Sequence, residues 1–179
     1  MKPTPIATIF INSSIGSFLL ERSARGLTHC KILDSAIPAE PPASALAPAD
    51  PMLQQAADEL QAYLEGSLKA FSVPLDLSDL SSFQQKVFAE VRQIPWGEVR
   101  TYAQVAAQIG QPEAARAVGT ALAHNPLMLF IPCHRIIGSD GKLHGFSAPH
   151  GVALKAWLLE HESVKVSENN LCAPFSEEI

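Results

Sequence analysis

Cysteine is scarce in this chain: Cys30, Cys133 and Cys172 are the only three among 179 residues. An odd, sparse set without CxxC spacing argues against a disulfide framework and points to a reducing compartment. A cytoplasmic protein is therefore expected, associated with the nucleoid if bacterial. Metal-ligand spacings are missing too. There is no HxxxH, and the adjacent His29 and Cys30 lie in a strand-like run, where neighbours face opposite sides. No metal and no cofactor is expected. Long apolar runs are lacking as well. The apolar stretch at 6–11 is short, follows Pro3 and Pro5, and gives way to Asn12, Ser13 and Ser14. It reads as neither a signal peptide nor a membrane span. Charged residues are few (17%) against 47% hydrophobic ones, which excludes global disorder.

Positive charge is not in surplus either; the net charge is −5. Its distribution matters more than its sum. Residues 1–82 hold five Lys/Arg against nine Asp/Glu, residues 83–162 hold seven against six, and the remainder holds one against three. The acidity sits outside the middle segment. Any nucleic-acid binding there must rest on a few well-placed groups, and its salt dependence should be shallow.

What is present reads as an α+β chain in two parts. Residues 5–11, 16–21 and 27–33 are strand-like, with a turn at Ser23-Ala24-Arg25-Gly26. Residues 34–51, rich in Pro and Ala, read as a surface loop. A helix over 52–65 places Leu53, Ala56, Ala57, Leu60 and Leu64 on one face, and Gly66 stops it. From Ser82 the texture turns helical. Ser82 is the expected N-cap of a helix over 83–93, and Ile94-Pro95-Trp96-Gly97 is a sharp turn. Thr101 caps a helix over 102–109; Gly110-Gln111-Pro112 leads into a second one reaching about His124. Two short helices joined this way match a helix-turn-helix. A tight hairpin is expected from Ile136 through Ser139-Asp140-Gly141 to Leu143, then a last helix over 152–162. The expected domains are 1–81, 82–162 and a flexible tail at 163–179.

Three residues carry candidate chemistry. Glu162 lies four residues beyond Leu158 in the stripe Leu154, Trp157, Leu158, so the last helix points it at the core, where a carboxylate needs a partner; a frayed helix end would instead release it to water. Cys133 follows an apolar run and could be a small core filler. His134 and Arg135 directly after it suggest the edge of a site. Adjacent side chains seldom face each other, so His134 would reach the thiol through a water, with Glu162 orienting the imidazole from behind. The second helix of the helix-turn-helix sets Arg116 among Ala114, Ala115, Ala117 and Gly119. Small residues permit close approach to a partner, or simply tight core packing; Arg is seldom buried unpaired. A nucleophilic thiol beside a DNA-binding motif points to chemistry on an extruded base.

Ile94-Pro95-Trp96-Gly97-Glu98-Val99, Tyr102, Ala114-Ala115-Arg116-Ala117-Val118-Gly119, Asn125-Pro126, Ile131-Pro132-Cys133-His134-Arg135-Ile136-Ile137, residues 138–143 and residues 155–162 together resemble the O6-alkylguanine-DNA alkyltransferases. The match is close over 83–162 and looser before it. The resemblance implies a ribonuclease-H-like first domain and a winged-helix-like helix-turn-helix in the second. It implies DNA repair by single, irreversible transfer of an alkyl group from O6-alkylguanine, and from O4-alkylthymine, to Cys133. Tyr102 would supply a proton to the guanine ring. Asn125 would brace the turn near the thiol. Arg116 would replace the flipped base while Ala114, Ala115, Ala117 and Gly119 approach the minor groove. Arg135 and Ser139 would also contact DNA. The Cys133 and Ile136 carbonyls, Phe146 and the Ser147 N–H would hold the base. The partner would be double-stranded DNA containing alkylated guanine; the protein would be a monomer away from membranes. A thioether, unlike a thioester, resists hydrolysis, so one molecule should repair one lesion.

The pocket loop departs from the family pattern. Residues 145–151 read Gly-Phe-Ser-Ala-Pro-His-Gly, where a Gly pair is usual, and Pro149 should stiffen the loop and change the preference among alkyl sizes. Three rival readings are a non-catalytic alkylated-DNA sensor, a cysteine hydrolase and a transcription factor. Retention of Cys133, His134 and Glu162 argues against the first, the DNA-reading helix against the second, and the lack of a further regulatory domain against the third.

Overall fold

The computed structural model describes residues 5–33, 50–167 and 170–171. The expected loop over 34–49, Cys172 and the end of the expected tail lie outside the described residues. Two compact units form: one from Met1–Gln85 with Pro126–Ile131, the other from Lys86–Asn125 with Pro132–Ile179.

In the first unit, β1 (Ala7–Ser13), β2 (Gly16–Arg22) and β3 (Leu27–Ile32) form an antiparallel sheet in the order β1-β2-β3. Alternation sends Phe18, Leu20, Cys30 and Ile32 inward, and Leu27, beyond the register shift at Glu21/Arg22, is buried with them. Helix α1 (Pro51–Leu64) covers them with Leu53, Ala56, Leu60 and Tyr63. Tyr63, not the expected Leu64, completes the buried face, because the stripe follows 53, 56, 60, 63. Asp50 caps α1 through Met52 N and Leu53 N. Gly26 permits a close backbone crossing: a Cβ there would stand 2.7 Å from the Pro74 carbonyl oxygen, where Leu27 N donates to Pro74 O. Pro126–Ile131 was expected to belong with the helices. It instead runs beside β3, with Cys30 N donating to Pro126 O and Met128 N to Cys30 O. Backbone pairing, which the apolar run does not advertise, decides its place.

The boundary between the units falls within α2 (Ser82–Val91), whose buried residues Val87, Phe88 and Val91 all belong to the second. The cap of α2 is Ser81 rather than Ser82. Gln84 N donates to Ser81 Oγ at 3.3 Å, and Ser81 N donates to Gln84 Oε1 at 3.1 Å, a reciprocal box one residue earlier. Then come β4 (Arg100–Thr101), α3 (Tyr102–Gln108), a 3₁₀ turn at Pro112–Ala114, α4 (Ala115–Ala123), a 3₁₀ turn at Cys133–Arg135, β5 (Ile136–Ile137), and α5 (Gly151–His161). Thr101 and Gln104 make the capping box that starts α3. The expected hairpin after Ile136 is only a turn, closed by Gly138 N to Lys142 O at 3.0 Å. β5 pairs in parallel with β4 instead, because its buried isoleucines face the core from both sides. The expected tail at 163–179 begins with order. Val164 and Val166 pack against Ile137, Leu143 and Leu159, and β6 (Val166–Ser167) pairs with β7 (Asn170–Leu171).

Helix α5 faces inward with Leu154, Lys155, Leu158 and Leu159. Trp157, expected on the buried stripe, is 37% exposed and stacks on His161. The pocket loop enters α5 through a turn in which Gly151 N donates to Ala148 O at 3.0 Å. Pro149 fits its second position, and His150 occupies the third at φ 64°, ψ 0°, a left-handed geometry that glycine normally takes. His150→Gly should therefore stabilise the protein by about 0.5–1 kcal/mol, the relief of a left-handed residue less the added chain entropy. A urea-unfolding midpoint checks this; a lower midpoint than wild type would contradict it.

Candidate active site

The turn at Cys133–Arg135 gathers the site. Its tight backbone sends three consecutive side chains in different directions, all buried. Cys133 is 9% exposed and lines a pocket with Tyr102, Gly119, Leu122, Ala123, Gly145, Phe146 and Ser147. The pocket has an empty volume of about 270 Å³, counting space open to solvent. Asn125 Nδ2 donates to Cys133 Sγ at 3.2 Å. Behind the thiol, His134 is fully buried and its Nε2 meets Glu162 Oε1 at 2.9 Å. Nε2 therefore carries the proton toward the carboxylate, and Nδ1 is the ring nitrogen with basic character.

Glu162 sits at the C-cap of α5, wholly buried. It also receives Arg135 Nε on Oε2 and Nη2 on Oε1, both at 2.7 Å. Arg135 Nη1 donates to the Ile94 carbonyl at 2.5 Å. Arg135, expected on DNA, is thus consumed inside the protein. Its forked donors match a carboxylate's two oxygens, and burial makes that match decisive. The turn after Ile94 serves the same end. Gly97 has φ 79°, its N–H lies 3.5 Å from Glu162 Oε2, and a Cβ there would come within 3.0 Å of the Glu162 carbonyl oxygen.

Charge states follow from these contacts. Burial would push the Glu162 carboxyl up, but the hydrogen bonds from His134 and Arg135 and the Arg135 charge override it and hold it well below the ordinary carboxylate range. Burial pulls His134 down, against the raising effect of Glu162, so the imidazole is neutral at pH 7. Burial raises the Cys133 thiol, opposed by the Asn125 bond and the Lys155 charge. The resting sulfur is therefore a thiol beside a neutral base, and the thiolate forms only as the base takes its proton. Burial, and the negative charge that Cys133 can carry, raise Tyr102, which stays a proton donor at neutral pH.

The other expected residues fall into place unevenly. Tyr102 is half-buried at the pocket wall, its ring over Gly119, where a Cβ would lie 3.6 Å from Cε1. Phe146 and Ser147 line the pocket. Arg116 and Ala117 on α4 are exposed, and Ala114, Ala115 and Gly119 are half-buried, so the start of α4 presents one cation on a face of small residues. Ser139 is exposed on the turn after β5. The Ile136 side chain is fully buried, and its carbonyl already accepts from Lys155 Nζ at 2.5 Å. Lys155 is the residue that sequence reasoning missed. The stripe 154, 158, 159, 162 would have exposed it as a lysine on the buried face; the stripe through Trp157 concealed it.

Among the described residues, no helix is long and apolar enough to cross a membrane. The family model for the DNA-binding domain of 6-O-methylguanine DNA methyltransferase matches residues 82–164, and that for its ribonuclease-like domain matches residues 6–77. A methylated-DNA–protein-cysteine methyltransferase of Methanosarcina barkeri is 41% identical over 161 residues, covering 90% of this chain and 96% of its own length. One from Mycobacterium bovis is 42% identical over 152 residues, covering 85% and 89%. Mycobacterium tuberculosis OGT, solved in complex with DNA, is similar with a TM-score of 0.75 and 41% identity, covering 88% of this chain and 93% of that one. Both domain models and near full-length relatives converge on one conclusion, that this chain belongs to the 6-O-methylguanine DNA methyltransferase family.

Proposed function

We propose that this protein repairs double-stranded DNA by moving an alkyl group from O6 of a flipped-out guanine onto Cys133 Sγ, once per molecule. The activity is that of a methylated-DNA–protein-cysteine methyltransferase. The observation that carries the assignment is a pocket-lining thiol held by Asn125, with the His134–Glu162–Arg135 network buried behind it.

In the transfer, the Cys133 S–H proton passes through a water to His134, and the sulfur attacks the alkyl carbon. The S–C bond forms as the C–O6 bond breaks. The bonding pair leaves with guanine, which takes a proton from Tyr102; the Tyr102 phenolate then recovers, through water, the proton that His134 took from the thiol. The product is a thioether, and no group in the site is placed to hydrolyse it. Arg116, exposed on a face of small residues, fills the gap left by the base as α4 approaches the minor groove. O4-alkylthymine presents a comparable alkyl–oxygen bond and is a second substrate. The protein works as a monomer in the cytoplasm, where thiols stay reduced.

Wild type in excess over a duplex carrying one O6-methylguanine should restore all of the guanine. Arg116→Ala should reach the same end point about ten- to a hundredfold more slowly, since stabilising an extruded base is worth a few kcal/mol. Unrepaired DNA with wild type would overturn the assignment. Equal rates would remove Arg116 from the flipping step.

A further inference from the structure

The carboxylate that orients His134 stands on the capping residue of α5, and helix ends fray. That end closes in a Schellman turn: Ser163 N donates to Glu160 O and Val164 N to Leu159 O, both at 2.9 Å. Ser163 takes the left-handed position of the turn at φ 69°, where glycine is the usual residue and a Cβ is strained. The Ile94–Gly97 turn meets Glu162 from within, but by a long contact, Gly97 N–H lying 3.5 Å from Oε2. Outside, an aromatic stack reaches the same helix end. His161 lies parallel to Trp157 one turn earlier, ring centroids 5.1 Å apart and planes at 4°. Trp96 meets His161 edge-on at 5.2 Å and 66°. Trp96 belongs to the turn whose Ile94 carbonyl accepts Arg135 Nη1 and whose Gly97 faces Glu162. One imidazole thus couples the end of α5 to that turn.

We propose that the Trp96–His161–Trp157 stack is a positioning clamp for the transfer reaction: it holds the strained end of α5 against the turn at 94–97 and so keeps the Glu162 carboxylate on His134 and Arg135. None of the three rings lines the Cys133 pocket, so they act through Glu162 and not on the base. Parallel and edge-to-face rings attract each other beyond the area they cover. Trp157 faces outward from the buried stripe of Leu154, Leu158 and Leu159, so its ring serves the stack rather than the core. Without the stack, the strain at Ser163 favours an unwound last turn. Glu162 then moves off His134 Nε2, and the imidazole loses the partner that turns its basic nitrogen toward the thiol.

The inference rests on Cys133 being the alkyl acceptor, so one of its two readouts is free of catalysis. Amide hydrogen exchange at residues 162–164 and single-turnover transfer from a saturated O6-methylguanine duplex are compared in wild type, His161→Ala, His161→Phe, Ser163→Gly and the double variant His161→Ala/Ser163→Gly. In His161→Ala these amides should exchange about tenfold faster. Its transfer should be about tenfold slower, a modest part of what a 1 Å misplacement can cost, with duplex affinity unchanged. His161→Phe, which keeps a flat ring and drops the ring nitrogens, should stay near wild type in both. Ser163→Gly alone should keep the wild-type rate, and in the double variant it should bring rate and exchange back to within about threefold of wild type. A folded His161→Ala with wild-type exchange or the wild-type rate overturns the proposal. So does a loss that neither His161→Phe nor Ser163→Gly restores. If His161→Ala loses its cooperative melt, Trp157→Ala, which removes only an outward-facing ring, takes its place with the same expectations. If wild type transfers nothing, the acceptor assignment is at fault, and exchange alone judges the clamp.

Discussion

Cys133→Ser is expected to abolish alkyl transfer, by on the order of 10⁴-fold or more, while the protein still binds alkylated duplex. The reasons lie in the geometry. A serine hydroxyl fits beside Asn125 Nδ2, which donates to Sγ at 3.2 Å in the wild type, so the turn and pocket persist. What is lost is nucleophilicity. The Cys133 thiol, although raised by burial, is still within reach of a neutral imidazole; a hydroxyl titrates far beyond it. Single-turnover kinetics and a gel-shift with the same duplex separate the two effects. Residual transfer above the uncatalysed level would point to a different acceptor. A sensor that only binds lesions would lose nothing in either assay, because wild type would show no transfer at all.

Glu162→Gln should carry the second large effect, and it should appear in stability as well as rate. Glu162 is fully buried and is the shared acceptor for His134 and Arg135. An amide keeps one acceptor oxygen but no charge, so the guanidinium of Arg135 is left buried without a counter-ion. Breaking a buried pair in this way costs about 3–5 kcal/mol. A melting temperature about 10 °C lower is the expected reading, and transfer measured well below that temperature should be about a hundredfold slower, because His134 loses the partner that sets its tautomer.

The pH dependence has a definite sign. The folded Glu162 carboxyl is held below its ordinary value, so its stabilisation is present above about pH 4.3 and is lost as pH falls further through its folded value. His134 is also held below its ordinary value, so the unfolded chain takes up that proton first. Stability begins to fall below about pH 6.5 and continues to fall through the folded value of His134. The wild-type advantage over Glu162→Gln should therefore be constant at neutral pH and shrink only in acid. Urea titrations at several pH values read this directly. An advantage that shrinks between pH 6 and 9 would contradict the assigned charge states.

Much of the molecule is legible in its residues because local and long-range demands agree. The strands alternate, the helix-turn-helix carries its own capping box and breaking glycine, and Cys133 and His134 stand in sequence beside each other. Glu162 was reachable by counting four residues from Leu158. Arg135 was not. An arginine beside a DNA-binding motif reads as a phosphate contact, and nothing local reveals that α5 presents a carboxylate to it from 27 residues away. Lys155 was hidden for a related reason. Its burial depends on two backbone carbonyls, and carbonyls have no signature in sequence. The partnership of Pro126–Ile131 with β3 is likewise a matter of backbone pairing, to which side-chain patterns are blind. Pro149 and His150 build a specific turn, and its cost is concentrated in one left-handed histidine.

Intact-protein mass measurement, with peptide mapping after incubation with an excess of O6-methylguanine duplex, tests the central claim most directly. The expected result is one added methyl group per chain, located on the peptide containing Cys133, with repair ceasing once one equivalent of guanine has formed. Repair continuing past one equivalent, or repaired DNA alongside an unmodified Cys133, would contradict it.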